Sequence, residues 1–323
     1  MNTESFGTLL IGLALLMLAQ VALAQSYPAK PIRLVVSSPP GGSDAYVRIF
    51  TPKAAEMLGQ PIVIENRGGA NGAIGAEHVA RAAPDGYTLL FATSGPIIYG
   101  AILNKATPFD PVRDFTPILN VLDSLKIVTV HASVPVNSIQ ELVDFAKRNP
   151  GKLSYASSGI GSVFHMNGEL FKLAAGVDIL HVPYKGTAAM ATDLVAGRAE
   201  VGFPALNNVK AGISGGKVKV LAILEQRRYG GLPYLATLGE LLPGFQPTPS
   251  WTGLFGPAAM ARSMVDRLNN VFLKSLDAPE VKKFIDDNGA VVTGGTPEDF
   301  ASAIKSDLEL AARAVKSAGI KPE

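Results

Sequence analysis

A chain of 323 residues, 47% hydrophobic and 17% charged, carries enough apolar material for two cores of about 100–200 residues each, so disorder is excluded. Its formal charge of +2 comes without clustered lysine and arginine, which removes nucleic acid and an anionic membrane surface from the expected partners. No cysteine is present, so disulfides, thiolate nucleophiles, cysteine metal sites and a lipid anchor at a cleavage-site cysteine are all excluded.

Residues 1–24, MNTESFGTLLIGLALLMLAQVALA, are apolar from Leu9 to Leu23 except for Gln20 and end in Ala22-Leu23-Ala24. An A-x-A site behind an apolar run shorter than the roughly 20 residues of a membrane span reads as a cleaved secretory signal. The amino-terminal region departs from that pattern, because it lacks Lys and Arg and carries Glu4. A mature chain beginning near Gln25, exported without anchor or disulfides, is expected to be a soluble protein of the bacterial periplasm.

From Tyr27 the pattern alternates. Apolar runs bounded by turn residues lie at 32–36, 62–65, 87–92, 152–156, 179–182, 200–203 and 219–224, with helix-like segments between most of them. That alternation predicts an α/β fold with parallel sheets covered on both faces. Ser138 and Glu141 form a capping box for a helix that Pro150-Gly151 stops, and Thr296-Pro297-Glu298-Asp299 opens the last helix. The second half repeats the plan of the first, strand then Gly/Ser loop then helix. Two lobes are therefore expected, 25–131 with 245–323 and 132–244, with crossings near 123–134 and 242–252.

Open α/β sheets place ligands beyond the carboxyl ends of their strands. Three small-residue stretches occupy such ends: PPGGSD at 39–44, NRGGANGAIGAEH at 66–78 and SSGIGSVFH at 157–165. A helix start has unpartnered N–H groups and the positive end of the macrodipole, and small residues let an anion come close. Taken singly, each is an ordinary turn before a helix. Taken together, three or four N–H donors at roughly 1.5–3 kcal/mol each approach the ~8 kcal/mol of micromolar binding.

Other chemistries lack their motifs. GGANGAIG misses the dinucleotide register, and GISGGKV at 212–218 has no Ser or Thr after its Lys. No G-x-S-x-G elbow occurs, and His78, His131, His165 and His181 show no metal-ligand spacing. His165 and His181 flank the expected cleft. Trp251 reads as core or as a lid over a crossing, and Asp123 with Lys126 reads as a solvated pair or a ligand contact from a strand end.

The runs YPAKPIRLVV…PPGG, LGQPIVIENRGGANGAIGAEHVARAAPDGYTLL, PGKLSYASSGIGSVFHMNGELFK, VDILHVPYKGTAAMATDLVAGRAEVGF and SWTGLFGPA resemble the substrate-binding proteins of tripartite tricarboxylate transporters, the Bug-type family, from Tyr27 to Ile320. The resemblance implies a two-lobed type II periplasmic binding protein, a Venus flytrap, acting as a monomer without cofactor, metal or catalysis. Such a protein captures a small carboxylate and delivers it to a membrane permease of two integral subunits. Carried onto this chain, the ligand residues are Gly41, Gly42, Ser43 and Asp44, with Gly69 in the middle loop, and Ser157, Ser158, Gly161 and Ser162 in the second lobe. His165, Pro183, Tyr184 and Lys185 match segments beside the cleft.

Two departures stand out: Asp44 follows Ser43 directly, which shortens the PPGGS-x-D loop by one residue, and Gly68 stands where the family has Pro. Readings that stay open are a receptor that presents its ligand to a sensor kinase and a hydrolase or lyase with His165 or Asp44 as base. Ligand choice is expected to rest on Asp44, Lys126 and the FPALNN turn at 203–208, with Phe164 and Phe203 favouring an aromatic ring.

Overall fold

The computed structural model describes residues 27–317, 319 and 320, so the expected signal segment lies outside the described residues. The strands in chain order are β1 (Ile32–Val36), β2 (Ile62–Asn66), β3 (Thr88–Thr93), β4 (Phe115–Ser124), β5 (Ile127–His131), β6 (Ser154–Ser157), β7 (Leu180–Pro183), β8 (Val201–Gly202), β9 (Val218–Ile223), β10 (Thr252–Pro257) and β11 (Ala290–Gly294). They form a six-stranded sheet ordered β11-β4-β10-β3-β1-β2 and a five-stranded sheet ordered β7-β6-β8-β5-β9. The architecture is α/β, as expected.

The sheets are mixed, where the alternation predicted parallel ones. β1 runs parallel to β2 and β3, and β6 runs parallel to β7 and β8. β10 lies antiparallel between β3 and β4, and β5 antiparallel between β8 and β9. These antiparallel members are the strands next to the crossings, where the chain leaves one sheet or returns to it and so meets its neighbours head on.

β1 reads IRLVV and buries every residue except Arg33, the signature of a strand covered on both faces. One face of the first sheet packs Phe50 of the helix Asp44–Leu58 and Phe272 of the helix Arg262–Ser275 against Phe91, with ring centroids 6.0 and 6.1 Å from Phe50. The other face packs Tyr99, Trp251, Phe255 and Phe300. Tyr155, Phe171 and Phe203 centre the core of the second sheet.

Both expected caps form. Ser138 Oγ accepts the Glu141 N–H at 3.1 Å, and Thr296 Oγ1 accepts that of Asp299 at 3.1 Å while Asp299 Oδ2 accepts the Thr296 N–H at 3.0 Å. No helix among the described residues is long and apolar enough to cross a membrane.

The first crossing is short. β4 ends in the first sheet at Ser124 and β5 begins in the second at Ile127, so Leu125 and Lys126 carry the change. β5 thus pairs in the second sheet, whereas the sequence division at 131 places it with the first. The run FTPILNVLDSLKIVTVH is apolar on both sides of the crossing and shows no break there. The chain returns through residues 224–251, where Thr248 Oγ1 donates to Asn167 Oδ1 at 2.9 Å and Ser94 Oγ donates to the Pro249 carbonyl at 3.1 Å.

Gly168 tests the packing in the helix Val163–Ala175. Alanine in a helix interior ordinarily gains up to about 1 kcal/mol over glycine, but a Cβ here would overlap the Tyr155 ring, and Tyr155 is fully buried. Overpacking of this kind costs about 1–3 kcal/mol, so Gly168→Ala is expected to lower the urea midpoint. An unchanged or raised midpoint would show that Tyr155 moves aside freely.

Candidate functional site

Loops from the two sheets enclose a cavity of about 890 Å³. Its wall is built at strand exits: residues 37–43 after β1, 69–73 after β2, 94–96 after β3, 158–164 after β6 and 183–188 after β7, closed by Lys126, Asn207 and residues 250–252 at the crossings. The parallel members of each sheet deliver their carboxyl ends to this one space.

The loops touch across it because glycine leaves room. A Cβ on Gly42 would stand 3.3 Å from Thr187 Cβ, one on Gly161 3.4 Å from Asn71 Nδ2, and one on Gly186 3.3 Å from Pro39 Cγ. Gly42 and Gly161 also hold φ of +59° and +75°, which disfavours any side chain there. Among the described residues no partner takes the N–H of Gly42 or Ser43. Opposite them, Ser162 caps the helix Val163–Ala175 by accepting the His165 N–H at 3.2 Å. A hydroxyl that accepts still has its proton to donate.

Ten of the thirteen expected residues line the cavity: Gly41, Gly42, Ser43, Gly69, Ser158, Gly161, Ser162, Pro183, Tyr184 and Lys185. Asp44, Ser157 and His165 do not, and each is buried behind a loop that does. The Asp44 carboxylate accepts from Arg48 Nε and from Asn66 Nδ2, both at 2.8 Å. Burial pushes this carboxyl up, but those two bonds, the Arg48 charge and the Gly41 backbone outweigh it and hold the group below the ordinary aspartate value. Asp44 is thus turned away from the cavity and ties the β1 exit to the end of β2. Gly68 packs on Pro39, with room for no Cβ.

Behind the second-sheet loop, three rings stack: His165 on His181 at 4.2 Å between centroids, and His181 on Tyr155 at 4.8 Å. Ser157 Oγ lies 2.7 Å from His181 Nε2, and Tyr155 OH donates to Glu169 Oε1 at 2.6 Å. His165 Nδ1 accepts the Gly161 N–H at 3.2 Å. Gly161 thus contributes close approach to the cleft, and its N–H points back at the stack. His165 is placed to hold the loop's shape.

Phe164 lines the cavity, whereas Phe203 is core, with its ring 5.7 Å from Tyr155 and 5.4 Å from Phe171. Trp251 belongs to both: it packs on Phe255 and Phe300, its Nε1 donates to Asp307 at 2.8 Å, and it also lines the cavity. Sequence reasoning missed Ser94, Gly95 and Pro96, although ATSGP has the small-residue strand exit used to find the other loops. It also missed Asn71, which adopts a left-handed φ of +52°, and Thr187 and Ser250, for which no local signal exists. Among the described residues no cluster of three or more His, Asp or Glu could hold a metal.

Burial, and next the His165 charge, lower His181 from the usual imidazole value to about 4. Both folded and unfolded forms are neutral above pH 6.5. As the pH falls from there towards 4 the unfolded chain takes the proton first, so stability is lost across this window. His181→Gln should flatten the melting-temperature profile between those limits. An unaltered acid slope would assign it to other groups.

The model of the tripartite tricarboxylate transporter family receptor matches residues 46–320. The chain is 36% identical over 306 residues to the UPF0065 protein in the tcbD-tcbE intergenic region of Pseudomonas sp. strain P51, covering 93% of this chain and 90% of that one. It is similar to the solved structure of a periplasmic transporter, with 39% identity, a TM-score of 0.86 and coverage of 92% and 100%. It is also similar to Rpa4515 of R. palustris with adipate, with 32% identity, a TM-score of 0.88 and the same coverage. Family model, relative and structures agree along nearly the whole described length, and the chain belongs to the tripartite tricarboxylate transporter family of receptors.

Proposed function

We propose that this chain is a periplasmic solute receptor that captures a small carboxylate between two lobes and delivers it to the permease of a tripartite tricarboxylate transporter. The observation that carries the reading is the meeting of two glycine/serine loops from different sheets on one cavity, each with polar hydrogens free to face an anion. The N–H groups of Gly42 and Ser43 and the Ser43 hydroxyl stand on one side, and the Ser162 hydroxyl at a helix start on the other. The carboxylate takes donors from both only when the loops meet, so ligand shifts an open–closed equilibrium towards the closed form. The lobes are residues up to about Ser124 with those from Thr252 onward, and the segment between them. The hinge is Leu125–Lys126 and the return near 248–251.

Binding without turnover fits the two residues considered as bases. Asp44 is ion-paired with Arg48 and faces away from the cavity, and His165 sits behind the loop with its Nδ1 occupied by the Gly161 N–H. The relative crystallised with adipate supports a carboxylate as ligand. Membership of the receptor family supports release to a permease.

A thermal-shift screen of carboxylic acids against their amides tests the reading. An acid at 100 times its Kd adds about 2.7 kcal/mol of stability, and the matched amide should add none. Equal shifts for an acid and its amide would reject carboxylate capture. Ser43→Ala and Ser162→Ala should each weaken the acid by roughly tenfold or more, since a hydrogen bond to a charged group is worth about 1.5–3 kcal/mol. Ser162→Ala should also cost about 1 kcal/mol of stability through the lost cap, whereas Ser43, which caps no helix through its side chain, should not. Unchanged affinity in both variants would reject the assignment.

A further inference from the structure

The far wall of the cavity, where the chain crosses between the sheets, has a chemistry of its own, and the inference drawn from it rests on the carboxylate reading above. Lys126 stands on that wall with its side chain 2% exposed. An ammonium has three N–H donors. Lys126 Nζ meets three acceptors: Asp123 Oδ1 at 2.8 Å, the Ser124 carbonyl at 2.8 Å and Glu225 Oε1 at 2.9 Å. None remains for a ligand. The Lys126 backbone N–H also donates to Glu225 Oε1 at 3.1 Å, which fixes that carboxylate in place.

Charge points the same way. Two carboxylates surround one ammonium, so the cluster carries one net negative charge when all three are ionised. Burial pushes the Asp123 carboxyl up and the Lys126 charge opposes it. With Asp123 protonated the cluster is neutral and still offers no positive charge. The other charged residue among those lining the cavity, Lys185, is exposed and sits beside Gly186, in the loop that meets Pro39 near the first carboxylate. Asn207 lies two residues beyond Ala205, which pairs with Lys126 in an isolated bridge. Its buried Oδ1 has no hydrogen-bond partner among the described residues, and an acceptor in that state calls for a donor.

We propose that this receptor selects monocarboxylates whose other end is a neutral hydrogen-bond donor such as a hydroxyl group, and that Lys126 on this wall, its charge already taken by Asp123 and Glu225, rejects a second carboxylate. A carboxylate brought there would lose its water and meet no uncommitted positive charge, which is the costly case for a buried charge. A hydroxyl would give its proton to Asn207. Selectivity would then differ from that of a receptor that holds adipate.

Calorimetric titration at pH 7 of two matched sets tests this: hexanoate, 6-hydroxyhexanoate and adipate, and benzoate, 4-hydroxybenzoate and terephthalate. In whichever set binds, the hydroxy acid should be at least about tenfold tighter than the diacid, a difference of ~1.4 kcal/mol. Glu225→Gln keeps an acceptor for Lys126 and removes one negative charge, so it should narrow that gap by strengthening the diacid. A diacid that binds wild type as tightly as the hydroxy acid overturns the inference and leaves the carboxylate reading intact. So does an unchanged gap in a folded Glu225→Gln protein, and if that variant does not fold the wild-type comparison decides alone. Failure of all six acids to bind removes the carboxylate reading, and this inference with it.

Discussion

An anion held by backbone N–H groups must be approached to within hydrogen-bond distance by main chain, and main chain comes that close only where side chains are missing. In this protein main chain from two different sheets comes that close on one cavity, with open N–H groups at Gly42 and Ser43 on one side and the Ser162 hydroxyl on the other, since the Gly161 N–H is taken by His165 Nδ1. Gly42 and Gly161 each sit in a left-handed conformation, with an opposing residue within 3.5 Å of where a Cβ would lie. The parallel strand exits, the mixed sheets and the short crossing at Leu125–Lys126 all serve that convergence, because parallel strands put their carboxyl ends on one side and the crossings turn the two sheets to face each other.

Loops of small residues have little rigidity of their own, so their shape has to be supplied from behind. On the first sheet the Asp44 carboxylate does this through Arg48 and Asn66, and Asn66 Nδ2 also donates to the Ser38 carbonyl at 3.0 Å. On the second sheet the stacked rings of Tyr155, His181 and His165 do it, reaching the loop through Ser157 and the Gly161 N–H. Polar residues in a binding loop are thus divided between those that face the cavity and those that shape it. Asp44, Ser157 and His165 carry acceptor or donor groups as attractive as those of Ser43 or Ser162, and only the direction of the side chain separates the two classes.

Lys126 shows the same division for charge. A lysine on a cavity wall invites a second carboxylate from the ligand, but three acceptors of the protein take all its protons. Two of those acceptors lie at different crossings, Asp123 near the end of β4 and Glu225 just after β9, so the same ammonium joins the segments that lead into and out of the second sheet.

The α/β class, the glycine loops and the helix caps at Ser138 and Thr296 were legible from residue types in order, because local backbone preference and hydrophobic period are local properties, whereas Pro183, Tyr184 and Lys185 beside the cavity came from the family resemblance. β4 and β5 were not among the expected strands, and within the crossing expected near 123–134 its place at Leu125–Lys126 is a change of hydrogen-bonding partner that leaves no mark in composition. The turn of Asp44 away from the cavity and the core position of Phe203 were equally silent, because both follow from contacts between residues far apart in the chain. Sequence alone determined that bare backbone would be offered at several strand exits. Only the tertiary structure decided which exits meet, which side chains face the space between them, and that the buried lysine there is already neutralised, because each of these depends on distances the chain acquires by folding.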